Sequence, residues 1–390
     1  MLRFVTAGES HGRCLVGVIE GLPSGLPINA EFVNSELHRR QLGYGRGGRM
    51  QIERDRVEIT SGVRHGKTLG SPISFRIENR DWSHWEIAMA TGPVSEGENR
   101  RSLTRPRPGH ADLAGALKYQ TRDVRDILER ASARETAARV AIGAFCKLLL
   151  QNFGIMLGSH VLAIGTVRVA ERFESLSINE IMRLDADSPL RCADREAELA
   201  MMALIDQAKK AGDTLGGVLE VAAGPVPPGL GSHTQWDLRL DGQLAQAMMS
   251  IPAAKAVEIG SGIAAAGHFG SQVHDEIFYR PETRSFFRKT NRAGGLEGGI
   301  TNGADLRIRV FMKPIPTLRK PLMSVDLSTK EAFEAAFERS DTCVVPAAAV
   351  IAEAMVAVVL TRAFLDKFGG DSLAEVQHNL ANYLRLVEQF

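Results

Sequence analysis

The chain has 390 residues, so one large or two ordinary domains are expected. With 44% hydrophobic and 24% charged residues it reads as soluble and globular, and a net charge of +1 gives no reason to expect nucleic acid or an anionic membrane. Met1-Leu2-Arg3-Phe4-Val5 lacks the apolar stretch of a signal peptide, and Cys14, Cys146, Cys192 and Cys343 form no C-x-x-C pair, which points to a reducing cytoplasm and away from a zinc site.

In chain order, Leu15–Glu20 reads as a strand closed by the turn Gly21-Leu22-Pro23-Ser24-Gly25. Asn29 can cap a helix from Ala30 to Leu42, with Glu31 near its positive end. Residues Gly43-Tyr44-Gly45-Arg46-Gly47-Gly48-Arg49 follow as a loop too glycine-rich to hold itself, so ligand anions are expected to order it. Val57–Ser61 and Ile73–Ile77 alternate as half-buried strands. Ser132-Ala133-Arg134-Glu135 has capping-box spacing and opens a helix that runs to Phe153 and stops at Gly154. Strand-like Ile155–Val169, a helix Asp194–Lys210, a strand Gly216–Ala223 and a rigid turn Gly224–Gly231 come next. Asp241–Ile251 is a helix, Val257–Ile259 and Leu306–Phe311 are strands, and helices Ala347–Phe368 and Asp371–Glu388 end the chain. The apolar run from Val344 to Leu360 is broken by Pro346 and Glu353, so it reads as a buried helix rather than a membrane span. The pattern is α+β or α/β, with no internal repeat and no composition shift that marks a boundary.

Chemistry concentrates in loops. His11 lies in Gly8-Glu9-Ser10-His11-Gly12, and His110 in Arg105-Pro106-Arg107-Pro108-Gly109-His110-Ala111-Asp112. Glycine and proline framing suits a histidine that meets a ligand from a loop, and histidine titrates near neutral pH. Residues 1–140 hold 20 arginines and 2 lysines against 17 acidic residues. Arginine grips phosphate and carboxylate in two places, so this half suggests a small, multiply anionic ligand. Arg125, near Asp126 and Glu129, reads as solvated surface. Gly294–Gly303 has five glycines in ten residues, which lets backbone N–H groups face a phosphate or a flat ring. It is not a dinucleotide fingerprint, and no P-loop occurs. Lys313-Pro314-Ile315-Pro316-Thr317 and Ser250-Ile251-Pro252-Ala253-Ala254-Lys255 present cations and hydroxyls on stiff turns. Arg339-Ser340-Asp341 precedes the Pro346 helix, where Asp341 is either a cap or a functional carboxylate.

Taken together, these segments resemble chorismate synthase over about residues 1–365: the His11 and His110 loops, Gly43–Gly47, Ser132-Ala133-Arg134-Glu135-Thr136, Gly294–Gly303 and Arg339–Asp341 occur in that family's order. The resemblance implies one large domain with a β-α-β sandwich core, assembled as a homotetramer. It implies conversion of 5-enolpyruvylshikimate 3-phosphate to chorismate and phosphate, a 1,4-anti elimination that needs reduced FMN with no net redox change. It implies NADPH as indirect reductant, acting through a separate flavin reductase, since no insertion suggests a bifunctional chain. By position, His11 resembles the residue that protonates the departing phosphate, His110 the one that protonates or stabilises reduced flavin, and Asp341 an acid–base partner near flavin N5. Arg40 and Arg46 match positions assigned to a nicotinamide nucleotide or substrate anions. Arg130, Ala131, Ser132, Pro252, Ala253, Gly298, Lys313, Pro314, Ile315, Pro316, Thr317 and Arg339 match flavin contacts. The family often carries a serine where this chain has Ala131, so one hydroxyl contact is absent. Two competing readings are an NADPH-dependent flavin oxidoreductase, which lacks a dinucleotide fingerprint here, and a polyanion-binding protein, which leaves the glycine-framed histidines unexplained.

Overall fold

Two antiparallel sheets face each other across a layer of helices. The computed structural model describes residues 1–47, 54–95, 97–98, 101–184, 188–320, 322–336 and 341–390. The first sheet comprises β1 (Arg3–Ala7), β2 (Cys14–Glu20), β3 (Glu58–Ile59) and β4 (Ile73–Glu78), in the order β1-β2-β4-β3. The second comprises β5 (Met156–Ile164), β6 (Val167–Arg168), β7 (Gly217–Gly224), β8 (Ala254–Ile259) and β9 (Leu306–Met312), in the order β8-β9-β7-β5-β6. Alternation decides which face is inside: Leu306, Ile308, Val310 and Met312 of β9 are buried, and Arg307 and Arg309 point the other way.

The helical layer is α1 (Ala30–Gln41), α4 (Thr136–Gln151) and α7 (Val345–Phe368). Helix α7 packs on α4, β5 and β7, and α4 packs on β2. The result is the β-α-β sandwich that the resemblance implied. Gly143 of α4 sits against Ala354 of α7, where an added Cβ would lie 2.4 Å from the alanine Cβ, so the two helices cross at a distance that only glycine permits. Helix α7 is long and apolar enough to cross a membrane, and 94% of its most apolar window is buried in this core. Pro346 does not break it, because it lies in the first turn, where no N–H is required. Glu353 lies fully buried in mid-helix, held by Arg39, Lys147, Arg191 and Ser159.

The remaining long helices are α2 (Asp112–Tyr119), α3 (Arg125–Ala131), α5 (Arg195–Ala211), α6 (Leu240–Met249) and α8 (Leu373–Gln389). Strand β1 and helices α2 and α3 were not anticipated: β1 is short, and α2 and α3 carry no side-chain cap at their starts. The strand expected over Val57–Ser61 shortens to two residues. The expected capping box at Ser132 is only half formed. Ser132 Oγ accepts from Arg134 N and opens a single 3-10 turn, while Glu135 pairs with Arg139 and α4 begins at Thr136.

Candidate active site

The His11 loop is the turn between β1 and β2. Gly8 takes a positive φ there, and an added Cβ would strike the Cys14 carbonyl at 2.4 Å. The imidazole stacks on Trp85, with ring centroids 3.9 Å apart and planes 24° from parallel. Its Nδ1 is 3.0 Å from each carboxylate oxygen of Glu129, and its backbone N–H donates to Glu129 Oε2 at 2.8 Å. Arg125 Nη1 donates to Glu129 Oε1 at 2.9 Å. Burial pushes the Glu129 carboxyl up, but hydrogen bonds from His11 and Arg125 outweigh it and leave the group below its ordinary value. Arg125 is therefore not the solvated residue expected. It is 6% exposed and lies against Glu129 and the Trp85 ring.

His110 is built more locally. Gly109 turns the chain with a positive φ, and His110 Nδ1 meets Asp112 Oδ1 at hydrogen-bonding distance. Arg107 Nε and Nη2 donate to Asp112 at 2.8 and 3.1 Å. Against burial, the hydrogen bonds from His110 and Arg107 hold Asp112 well below the usual carboxylate range. An ionised carboxylate only accepts, so the contact with Asp112 calls for hydrogen on Nδ1 of His110. Arg107 Nη1 also donates to Thr317 Oγ1 at 3.0 Å, and Lys313 Nζ donates to the Gly109 carbonyl. The stiff Lys313–Thr317 turn, which includes Pro314, Ile315 and Pro316, is thereby tied to the His110 loop.

Asp341 settles between its two expected roles. The N-cap of α7 is Val344, not Asp341. Asp341 instead accepts from Arg46 Nη1 at 2.7 Å and from the Gly47 N–H at 2.6 Å. The Gly43–Gly47 part of the loop thus has protein anchors of its own. Tyr44 Oη donates to Asp206, Tyr44 N to Pro189 O at 2.9 Å, and Thr342 N to Gly45 O at 2.8 Å. Gly48 and Arg49 lie outside the described residues, as does Arg339. A cavity of about 600 Å³ lies over this loop, lined among others by Arg46, Lys209, Thr317, Arg319 and Asp341.

Arg40 is buried behind this cavity, with Nε on Thr136 Oγ1 and Nη2 on the Ala133 carbonyl. Burial lowers it to about 10, although Asp55 favours the charged form. Asp55 is held in turn by Arg134, and Arg134 Nε by Asn79, whose amide donates to the Gly12 carbonyl beside His11. Arg130 donates to the Thr6 and Gly8 carbonyls and so braces the His11 loop from the end of α3. Next to it stand Ala131 and Ser132. Arg139 joins the start of α4 to Ser250, two residues before Pro252 and Ala253. Ala253 adopts a positive φ and accepts from Lys313 N at 2.9 Å.

Two chains of contacts result: one runs from the His11 loop through Asn79, Arg134 and Asp55 to Arg40, and the other joins Ala253, Lys313, the His110 loop, Arg107 and Thr317, which lines the cavity together with Arg46 and Asp341. Gly298 is on neither. Its hairpin sits where β9 begins, whereas Lys313 follows where β9 ends, about 20 Å away for a seven-residue strand. Sequence reasoning missed Trp85, Glu129 and Asp55 as parts of the site. Asp112 stood inside the His110 motif, and the i,i+4 pair Arg125–Glu129 was visible, but neither pattern says which histidine it serves.

The family model for chorismate synthase matches residues 2–365. Chorismate synthases from Brevibacillus brevis and Moorella thermoacetica are each 57% identical, over 390 and 389 residues and the full length of both chains. A solved crystal structure of chorismate synthase superposes with a TM-score of 0.80 at 45% identity, covering 100% of this chain and 99% of that one. The chain belongs to the chorismate synthase family. The activity of that family is the elimination of phosphate from 5-enolpyruvylshikimate 3-phosphate to give chorismate, in aromatic amino-acid biosynthesis, with reduced flavin.

Proposed function

We propose that the elimination takes place in the basin bordered by the two chains of contacts just described. The observation that carries this reading is the cavity lined by Arg46, Asp341 and Thr317, with Thr317 tied through Arg107 to the His110 loop. A substrate with one phosphate and two carboxylates needs cations on several sides of one basin and a proton donor aimed into it. In the reaction a C–O bond to phosphate and a C–H bond break, a new double bond forms in the ring, and a proton and phosphate leave without net redox change.

His11 gives its proton to the departing phosphate. Asp341 takes and returns a proton at its carboxylate. His110, held by Asp112, places positive charge beside the reduced flavin. Arg46 binds a substrate anion, and Arg40 supports it from behind the Ala133 turn.

Lys313 supports the cofactor assignment. Burial lowers it below the ordinary lysine value, and so does nearby Lys255; no carboxylate among the described residues pairs with either. A phosphate between two such ammonium groups relieves their repulsion. Lys313 and Lys255 would hold the phosphate of FMN, and Arg130, Ala131, Ser132, Pro252, Ala253 and Thr317 would line its ring. When bound, reduced FMN supplies electron density that no side chain offers. NADPH serves as indirect reductant through a separate flavin reductase in the cytoplasm. Trp236, Ile263 and Phe269 are each at least 70% exposed, which supports assembly as a homotetramer.

The test is anaerobic turnover of 5-enolpyruvylshikimate 3-phosphate with dithionite-reduced FMN, read by chorismate absorbance. Turnover is expected without NADPH. NADPH consumption in the absence of substrate, or no chorismate, would overturn the reading.

A further inference from the structure

We infer that Glu129 is the positioning residue that sets the His11 ring for proton donation. Glu129 is 2% exposed and lies on α3, 118 residues from His11 in the chain. It makes three contacts to one loop. Its carbonyl accepts from Ser10 N at 3.0 Å, its carboxylate accepts from the His11 N–H, and both carboxylate oxygens lie 3.0 Å from Nδ1. An ionised carboxylate can only accept, so Nδ1 carries hydrogen and the exchangeable proton resides at Nε2. The stack on Trp85 stops the ring from turning away.

Several charged groups lie around the ring among the described residues. Glu129 and Arg125 face it from α3, Arg101 lies over Trp85 with its guanidinium 4.1 Å from the ring centroid, and Glu9 belongs to the loop itself. Arg125 occupies one oxygen of Glu129 and so shares its negative charge. The carboxylate then orients the imidazole without capturing the proton that the ring has to give. A deletion of Arg125 would leave Glu129 with full charge on His11; a deletion of Glu129 would leave Arg125 buried and facing the ring.

The inference rests on His11 as the donor, and the experiment separates the two. Glu129→Gln keeps the shape but has one acceptor for three donors, and its NH2 can donate to Nδ1. In the full chain with reduced FMN, kcat is expected to fall about 10²-fold with KM within about threefold. The kcat–pH profile should change from that of the wild type, because the ring loses the carboxylate that faces Nδ1. Glu129→Asp keeps the charge and should recover most of the activity. Side-chain 15N spectra of His11 in the resting protein should show hydrogen at Nδ1 in the wild type and a mixture in Glu129→Gln. An unchanged tautomer and pH profile in Glu129→Gln would overturn the inference, as would equal loss in both variants with the tautomer retained. A changed tautomer with full turnover would confirm that Glu129 sets the ring and would remove His11 from the chemistry.

Discussion

His110 takes its carboxylate from Asp112, two residues along, and His11 takes its own from Glu129, 118 residues along. Both carboxylates are buried, both carry an arginine on the far side, and both sit at Nδ1. The surroundings differ. His11 lies on the face of Trp85, while His110 has Arg107 Nη2 at 3.1 Å from the same nitrogen that Asp112 holds. One ring lies on the indole face and meets a carboxylate that it shares with Arg125. The other shares its carboxylate with a guanidinium that also reaches Thr317 and the Lys313 turn. A similar donor–acceptor pair is thus tied to an aromatic face in one place and to the Lys313–Thr317 turn in the other.

Deleting the rings tests this contrast most strongly. His11→Ala and His110→Ala should each lower turnover by about 10²–10⁴-fold, the range for one positioned acid or base, with melting temperatures near wild type because neither residue lies in a helix or strand. Steady-state kinetics with reduced FMN checks it. Near-normal turnover in either variant would take that histidine out of the reaction and break the parallel.

Asp112→Asn sharpens the comparison at the local end. Turnover should fall about 10²-fold, since an amide can hold the wrong tautomer. The pH dependence of stability gives an independent readout. The folded-state value of Asp112 is depressed by His110 and Arg107, so its contribution is complete above the ordinary aspartate value near pH 4 and is lost as pH falls below it. Calorimetry between about pH 5 and pH 3 should show wild type losing melting temperature faster than the variant. Parallel curves would mean that the His110–Asp112–Arg107 cluster is not held in solution as described.

The same contrast explains what was legible in the sequence. The His110 centre is a short motif, so its residues could be read in one line, and helices such as 195–211 and 345–368 announced themselves by periodicity or by an unbroken apolar run. The His11 centre depends on α3, a seven-residue helix without a side-chain cap, and on Trp85 just after the 3-10 turn 82–84; neither has a local signal. Arg125 looked like surface because an i,i+4 pair on an exposed helix and one buried beneath a ligand loop have the same sequence. Gly298 matches a flavin contact by resemblance alone, and its hairpin lies at the end of β9 opposite Lys313.

Asp341 offers a third carboxylate, held by a loop rather than holding a histidine. Asp341→Asn should lower turnover at least about tenfold, roughly 1.4 kcal/mol in the barrier. The melting temperature should stay close to wild type, because Val344 and not Asp341 occupies the cap of α7. Hydrogen exchange at residues 43–47 should quicken in Asp341→Ala even without ligand, since Arg46 and Gly47 both lose their acceptor. Full activity in the Asn variant would leave Asp341 as a loop anchor only.

The smallest effect is expected at Tyr44, the outer fastening of the same loop. Its hydroxyl donates to both oxygens of Asp206 on α5 at 2.9 Å, in a solvent-exposed pair. Tyr44→Phe removes that bond and nothing else, while Tyr44 N on Pro189 O and Thr342 N on Gly45 O remain. A single exposed hydrogen bond is worth about 0.5 kcal/mol, so KM should rise no more than about twofold and kcat should not move. The hydrogen bond to Asp206 raises the Tyr44 value above the ordinary one near 10, so the contact is complete below about pH 10 and is lost as pH rises further. The wild-type advantage in KM at pH 8 should fade at strongly alkaline pH. A tenfold loss of kcat/KM in Tyr44→Phe would show instead that the loop hangs on this one bond, and that Asp341 anchors it far less than its two short contacts imply.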